Sequence, residues 1–103
     1  PGAVAKLNKT ARGKHRWIGI CIDQPSSRGE VESAIRGALG ELSWRLYDVK
    51  QSEGPTHAIL KVSLEDHLSA LSNLNAVASI ATITSSGKVR LVRSRLSSFE
   101  ISE

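Results

Sequence analysis

The chain has 103 residues, of which 40% are hydrophobic and 23% are charged. This length allows one domain with a single core and is too short for two. No window approaches the roughly 18 continuous apolar residues that a membrane span needs, and a single cysteine, Cys21, excludes an internal disulfide. Residues 1–10 lack the apolar run of a signal peptide, so we expect a cytoplasmic protein.

The net charge of +4 is unevenly distributed along the chain. Residues 1–16 contain five Lys or Arg and no acid, residues 17–87 contain five against eight acids, and residues 88–103 contain four against two. Basic ends around a slightly acidic body are typical of a protein that binds a polyanion. For the N-terminal end, a tail that only keeps the protein soluble remains an alternative.

The first predicted elements are a flexible basic arm and a strand. Residues 1–13 are small and basic without periodicity, which indicates the arm, and one domain is expected over residues 14–103. The stretch His15–Ile22 alternates as a strand, with isoleucines on one face and Trp17, Gly19 and Cys21 on the other. Because both faces are largely apolar, a C-terminal helix or a partner must cover the second one.

A helix and a pair of strands are predicted next. Ser27 with Glu30 forms a capping box, apolar residues follow at helical spacing, and Gly40 ends the helix. Residues 42–49 alternate as a second strand, which places Leu46 on one side and Tyr47 on the other. Residues 50–56 make a hairpin-like connection to a third strand at residues 57–62.

The last regular elements complete the order β-α-β-β-α-β. Ser63 and Asp66 make another capping signature before a second helix, and residues 77–84 are β-branched and small, as in a fourth strand. Two right-handed crossovers that share a hairpin predict an α+β, ferredoxin-like fold. We expect a two-layer sandwich with a four-stranded antiparallel sheet and both helices on one face.

A basic segment, residues 85–96, follows the fourth strand. If it is helical from Lys88, then Val89, Val92 and Leu96 share an apolar stripe that could cover the open face of the sheet. The arginines among these residues are then directed largely outward. The preceding Ser-Ser-Gly turn would expose backbone amides that can receive a phosphate. A solvated capping helix and a functional surface are equally compatible with this pattern.

Catalytic and base-stacking motifs are scarce. The three histidines are not at metal-ligand spacing, and His67 is expected to pack at the edge of the second helix. Residues 23–28 lack the glycine-rich phosphate loop that acylphosphatases carry after the first strand. The third strand lacks the aromatics of an RNA recognition motif, and core packing is expected for Trp17, Trp44 and Tyr47. Electrostatic contact with phosphates remains as the predicted mode of nucleic-acid binding.

Several short stretches carry a resemblance to a known family. They are R-G-K-H-R-W-I at residues 12–18, S-R-G-E-V at 27–31, L-G-E-L at 39–42, A-I-L-K-V at 58–62 and S-G-K-V-R-L-V-R at 86–93. In this order the chain resembles the archaeal protein component 2 of ribonuclease P, the ferredoxin-like subunit shared with the eukaryotic ribonuclease P and MRP particles.

The resemblance implies a subunit that is not an enzyme by itself. Members of that family bind the catalytic domain of the ribonuclease P RNA, usually together with a barrel-shaped thirty-kilodalton protein, and assist magnesium-dependent maturation of precursor tRNA at its 5′ end. The Mg²⁺ acts through the RNA, and no cofactor is expected on the protein. The competing hypothesis is a protein-protein interaction module, including a homodimer, whose basic tails are incidental.

The resemblance and the charge pattern together give the expected RNA-binding residues. They are Arg12, Lys14, Arg16, Ser86, Gly87, Lys88, Arg90, Arg93 and Arg95.

Overall fold

The computed structural model describes residues 15–51 and 53–102. The described elements are β1 (His15–Ile22), α1 (Arg28–Leu39), β2 (Trp44–Lys50), β3 (Thr56–Ser63), α2 (His67–Asn75), β4 (Ile80–Ser86) and α3 (Val89–Ser102). The strand order is β2-β3-β1-β4, and all three pairings are antiparallel. The predicted ferredoxin-like α+β fold is thereby confirmed. The predicted arm, with Arg12 and Lys14, lies outside the described residues.

The main core lies between the sheet and the helices α1 and α2. Ile18, Ile20 and Ile22 of β1 are buried against apolar side chains of both helices, as the alternation predicts. The capping box of α1 is present: the Ser27 hydroxyl accepts a hydrogen bond from the Glu30 amide, and the Glu30 carboxylate accepts one from the Ser27 amide. No helix in the described ranges is long and apolar enough to cross a membrane.

Three elements begin later than predicted, and the first of them is β2, which begins at Trp44 rather than at residue 42. The Ser63 hydroxyl accepts a hydrogen bond from the Asp66 amide, but residues 64–66 form a turn and α2 begins at His67. The Asp66 carboxylate accepts a hydrogen bond from the Ser43 amide instead of completing a capping box. Similarly, β4 begins at Ile80 because residues 77–79 continue the turn that ends α2.

A β-bulge in β2 interrupts the predicted alternation. The register against β3 shifts between Leu46 and Asp48, so one extra residue, Tyr47, is inserted. As a result Tyr47 and Asp48 both lie on the outer face, which we define as the sheet face opposite α1 and α2. The guanidinium of Arg28 donates hydrogen bonds of 3.1 Å to the carbonyls of Leu46 and Tyr47, which holds the bulge and covers part of this edge strand.

Helix α3 covers part of the outer face. Val92 and Leu96 are buried there in a second, smaller core with Trp17 and Ile59. A Cβ atom on Gly19 would lie 2.9 Å from Val92 Cγ1, so the helix approaches the sheet closely only because this residue has no side chain. The predicted apolar stripe is confirmed, and α3 provides the cover that the second face of β1 requires.

We expect Gly19→Ala to lower the free energy of unfolding by about 1–3 kcal/mol, because the added methyl group overpacks the contact with Val92. Gly37→Ala in α1 is the matched control: nothing lies within 4 Å of its Cβ position, and alanine should stabilise this helix by about 0.5–1 kcal/mol. Denaturant unfolding of both variants measures the difference. If Gly19→Ala proves as stable as the parent protein, α3 is not seated as described.

Candidate nucleic-acid interface

The turn between β4 and α3 prepares a helix N-terminus for an anion. The Ser86 hydroxyl accepts a hydrogen bond of 3.2 Å from the Lys88 amide. The Lys88 carbonyl in turn accepts hydrogen bonds from the amides of Leu91 and Val92, so Lys88 occupies the N-cap position. The first amides of α3 have no acceptor within the helix itself. The free backbone amides and the positive end of the helix dipole therefore both lie at this turn, where an anion could bind.

Cations occupy the positions where a helix ordinarily favours acids. Lys88 stands at the N-cap and Arg90 in the first turn of α3, and that turn contains no acidic residue. A lysine offers no acceptor for the free amides, and the helix dipole repels positive charge at this end. Helix α1 follows the usual rule, with Glu30 in its first turn. An anion bound at the α3 N-terminus would compensate both unfavourable features.

Arg16 lies beside the same turn. A Cβ atom on Gly87 would be 3.3 Å from Arg16 Nη1, so glycine leaves room for the guanidinium next to the backbone. Nη1 also donates a hydrogen bond of 3.1 Å to the His15 carbonyl. Across the turn, His67 Nε2 and Ser85 Oγ share a hydrogen bond of 3.2 Å. His67, predicted to pack at the edge of α2, is half-buried in this polar cluster.

Arg93 and Arg95 make contacts within the protein. Arg93 Nε donates a hydrogen bond of 2.8 Å to Asp48 Oδ2, and this contact raises the pKa of Arg93 above its ordinary value. On the other side of α3, Arg95 Nη1 donates hydrogen bonds to Thr84 Oγ1 at 2.9 Å and to the Ser85 carbonyl at 3.3 Å. Arg93 links α3 to β2 and Arg95 links it to β4, which are the two edge strands of the sheet. Both side chains stay exposed.

The predicted site residues thus fall into separate groups. Arg16, Ser86, Gly87 and Lys88 lie together at the β4–α3 turn. Arg90 is exposed, on the same side of α3 as Arg93 and three residues before it. Within the described ranges, the side chains of Lys88 and Arg90 have no hydrogen-bond or ion-pair partner, whereas Arg93 and Arg95 do.

Sequence reasoning missed a second group of cations, of which Arg45 is exposed and Lys61 is half-buried. Arg45 of β2 pairs directly with Lys61 of β3 on the outer face, in the same row as Trp17 and Ser86. Tyr47 does not pack into the core as predicted: it is 43% exposed beside this row. The alternation of β2 and β3 already placed Arg45 and Tyr47 on one side, but only the register shows which strand residues face each other.

A cleft of about 140 Å³ opens between α3 and the β2–β3 hairpin. Asp48 is the one carboxylate among its lining residues, and it is ion-paired with Arg93. In the described part of the chain, no group of three or more His, Cys, Asp or Glu could hold a metal ion. The remaining lining residues are Lys50, His57, Ala58, Ile59, Leu96 and Ser97.

No protein-family model matches the sequence, and no curated protein matches it either. Among solved structures, the chain is similar to the crystal structure of the cytoplasmic N-terminal domain of subunit I, homolog of subunit a, of V-ATPase. The identity is 22% and the TM-score 0.48, over 79% of this chain and 28% of that one. A likeness at this level carries no argument about what the chain does.

The cluster at the turn predicts a pH dependence of stability. Burial, and then the charge of Arg16, lower the pKa of His67 below its ordinary value of 6.5. The folded protein therefore favours the neutral imidazole, and the stability linked to it is present above pH 6.5 and is lost as the pH falls through the lowered pKa. The pKa of His15 is lowered in the same direction, by burial first and then by Lys61 and Arg16.

We expect His67→Gln to reduce the loss of thermal stability between about pH 7 and pH 5 and to leave the part that belongs to His15. Thermal midpoints across this range measure the effect, and an NMR titration of the imidazole protons separates the two histidines. An identical pH dependence in the variant and the parent protein would contradict the assignment to His67.

Proposed function

We propose that the chain is a non-catalytic protein subunit of ribonuclease P. In this role it binds the catalytic domain of the ribonuclease P RNA, together with the barrel-shaped thirty-kilodalton protein, and assists 5′ maturation of precursor tRNA in the cytoplasm of an archaeal cell. Mg²⁺ acts through the RNA. The order and spacing of the motifs between residues 12 and 93 support this function, and so does the ferredoxin-like fold expected for that family.

One observation carries the proposal: the cations at the start of α3, whose side chains have no partner among the residues that the structure describes. Lys88 and Arg90 stand where the helix dipole disfavours positive charge, and Arg16 lies against the adjoining Gly87. A solvated capping helix has no need of this arrangement, because acidic residues there would stabilise it better. A phosphate of the RNA backbone at this turn would meet the first amides of α3, the Lys88 ammonium and the Arg16 guanidinium, and Arg90 adds a further cation in the first turn of the helix.

The expected mechanism is electrostatic. Each phosphate neutralised by a lysine or arginine releases condensed counterions, which makes binding depend steeply on salt, with a slope of about −0.7 to −0.9 per phosphate on logarithmic axes. Neutralisation lets RNA strands approach each other closely, so a small protein can favour the folded form of a catalytic RNA. Among the described residues, Lys88 and Arg90 have side chains available for phosphate, so they determine this salt dependence. Arg93 and Arg95 mainly hold α3 in position.

The hypothesis of a protein-protein module has lost its main support. It depended on the second apolar face of β1, which either a C-terminal helix or a partner protein was expected to cover. In the structure Val92 and Leu96 of α3 lie on this face at Gly19.

Arg90→Gln tests the interface without disturbing the fold. Arg90 has no partner within the described ranges, so the variant should keep its thermal stability, bind ribonuclease P RNA more weakly and show a salt slope reduced by about 1. Arg36→Gln is the matched control: it removes one exposed positive charge from α1, where Arg36 pairs with Glu32 at 3.3 Å. Filter-binding titrations at several salt concentrations give both slopes.

Equal slopes in the two variants would show that the start of α3 does not contact phosphate. Reconstitution tests the wider function: cleavage of a precursor tRNA by the RNA and the barrel-shaped protein, with and without this chain. We expect the chain to increase the rate at low Mg²⁺, and a rate that does not change on its addition would contradict the proposed function.

A further inference from the structure

The outer face carries a row of two cations and a tryptophan at the end of the sheet where β1 begins. Arg45 is exposed and Lys61 half-buried, whereas Trp17 is buried in the smaller core with α3. Arg45, Lys61, Trp17 and Ser86 are aligned across all four strands by the pairings β2–β3, β3–β1 and β1–β4. Helix α3 packs one row further along the strands, where Gly19 pairs with Ile59 and Thr84.

The pairing of Arg45 with Lys61 is unfavourable within the protein. Two cations directly opposite each other on adjacent strands repel, and such pairs destabilise a sheet. The nearest acid along β2, Asp48, is ion-paired with Arg93 of α3. Lys61 Nζ lies 5.5 Å from the centre of the Trp17 ring, which fixes this cation over the sheet rather than letting it turn away.

Tyr47 stands beside this row with much of its ring accessible. The residue is 43% exposed, and its ring meets Trp17 edge to face, with ring centres 4.5 Å apart and planes at 82°. Trp17 itself is only 6% exposed, because it packs in the smaller core with Val92 and Leu96 and has Tyr47, Lys61 and His15 around it. Trp17 therefore supports the exposed tyrosine, which the bulge and the hydrogen bonds from Arg28 hold in place.

We infer that this part of the outer face binds single-stranded RNA, with an unpaired base stacked on Tyr47 and backbone phosphates on Arg45 and Lys61. An exposed, supported ring between cations is the arrangement with which proteins bind unstacked bases, since every base offers a π face and every linkage a negative charge. A duplex would engage the cations but leave the ring unused. The aromatic comes from β2, not from β3, whose lack of aromatic residues made base stacking unlikely from the sequence alone.

The inference deepens the proposed function, on which its biological setting rests, but it concerns a different surface from the start of α3. The probe is a fluorescently labelled oligouridylate of about ten nucleotides, which forms no stable secondary structure. We expect Tyr47→Ala to weaken its binding about fivefold or more and Tyr47→Phe to remain within about twofold of the parent protein, because phenylalanine keeps the ring.

Arg45→Gln provides a second test that does not depend on how Tyr47→Ala folds. Removing one of two opposed cations should leave the thermal midpoint unchanged or raise it, while oligouridylate binding weakens. NMR adds a local readout: the Trp17 indole N–H should shift on titration with the oligonucleotide. The Trp44 indole, which packs on the core side beneath Arg36, should not.

Three outcomes would overturn the inference. Tyr47→Ala could bind as tightly as the parent protein, Tyr47→Phe could lose as much as Tyr47→Ala, or a polyglutamate peptide could bind as tightly with the same dependence on Tyr47, which would assign the face to a protein. The two proposals fail separately. Loss of RNA binding in Arg90→Gln without any effect of Tyr47→Ala refutes only this inference, and the reverse pattern refutes only the assignment of α3.

Discussion

The contact between α3 and Gly19 sets the layout of the whole outer face. Because residue 19 has only a hydrogen, Val92 and Leu96 can lie directly on β1, and the helix axis is held close to the sheet. Packed there, α3 brings Arg93 to Asp48 on one side and Arg95 to Thr84 on the other. The same position leaves Arg45 and Tyr47 exposed on the edge strand β2, since a helix can cover only part of a four-stranded sheet.

The fold was predictable because its signals are local. Alternation marks β1, the pair Ser27 and Glu30 marks the start of α1, and the spacing of Val89, Val92 and Leu96 marks the buried side of α3. The bulge was not predictable in this way, because β2 alternates normally through Tyr47 and only its pairing with β3 shows an extra residue. The capping signature at Asp66 was not completed for a related reason. Its carboxylate accepts a hydrogen bond from the Ser43 amide, which is distant in sequence.

The candidate site was predictable as a segment but not residue by residue. The sequence shows four cations in one basic segment. It does not show which of them have partners, because the partners of Arg93 and Arg95, Asp48 and Thr84, belong to other elements. Folding divides them into two roles: Arg93 and Arg95 hold α3 to the sheet, while Lys88 and Arg90 have no side-chain partner in the described part of the chain. The opposed pair of Arg45 and Lys61 was equally hidden, since it exists only once β2 and β3 are in register.

Two local rules are broken at the same end of the sheet, where β1 begins and β4 ends. Cations stand at a helix N-terminus, and like charges face each other across two strands. Native chains break such rules mainly at functional sites, where a ligand supplies what the protein lacks. A bound polyanion would relieve both repulsions at once, so its binding energy would also stabilise the fold by mass action.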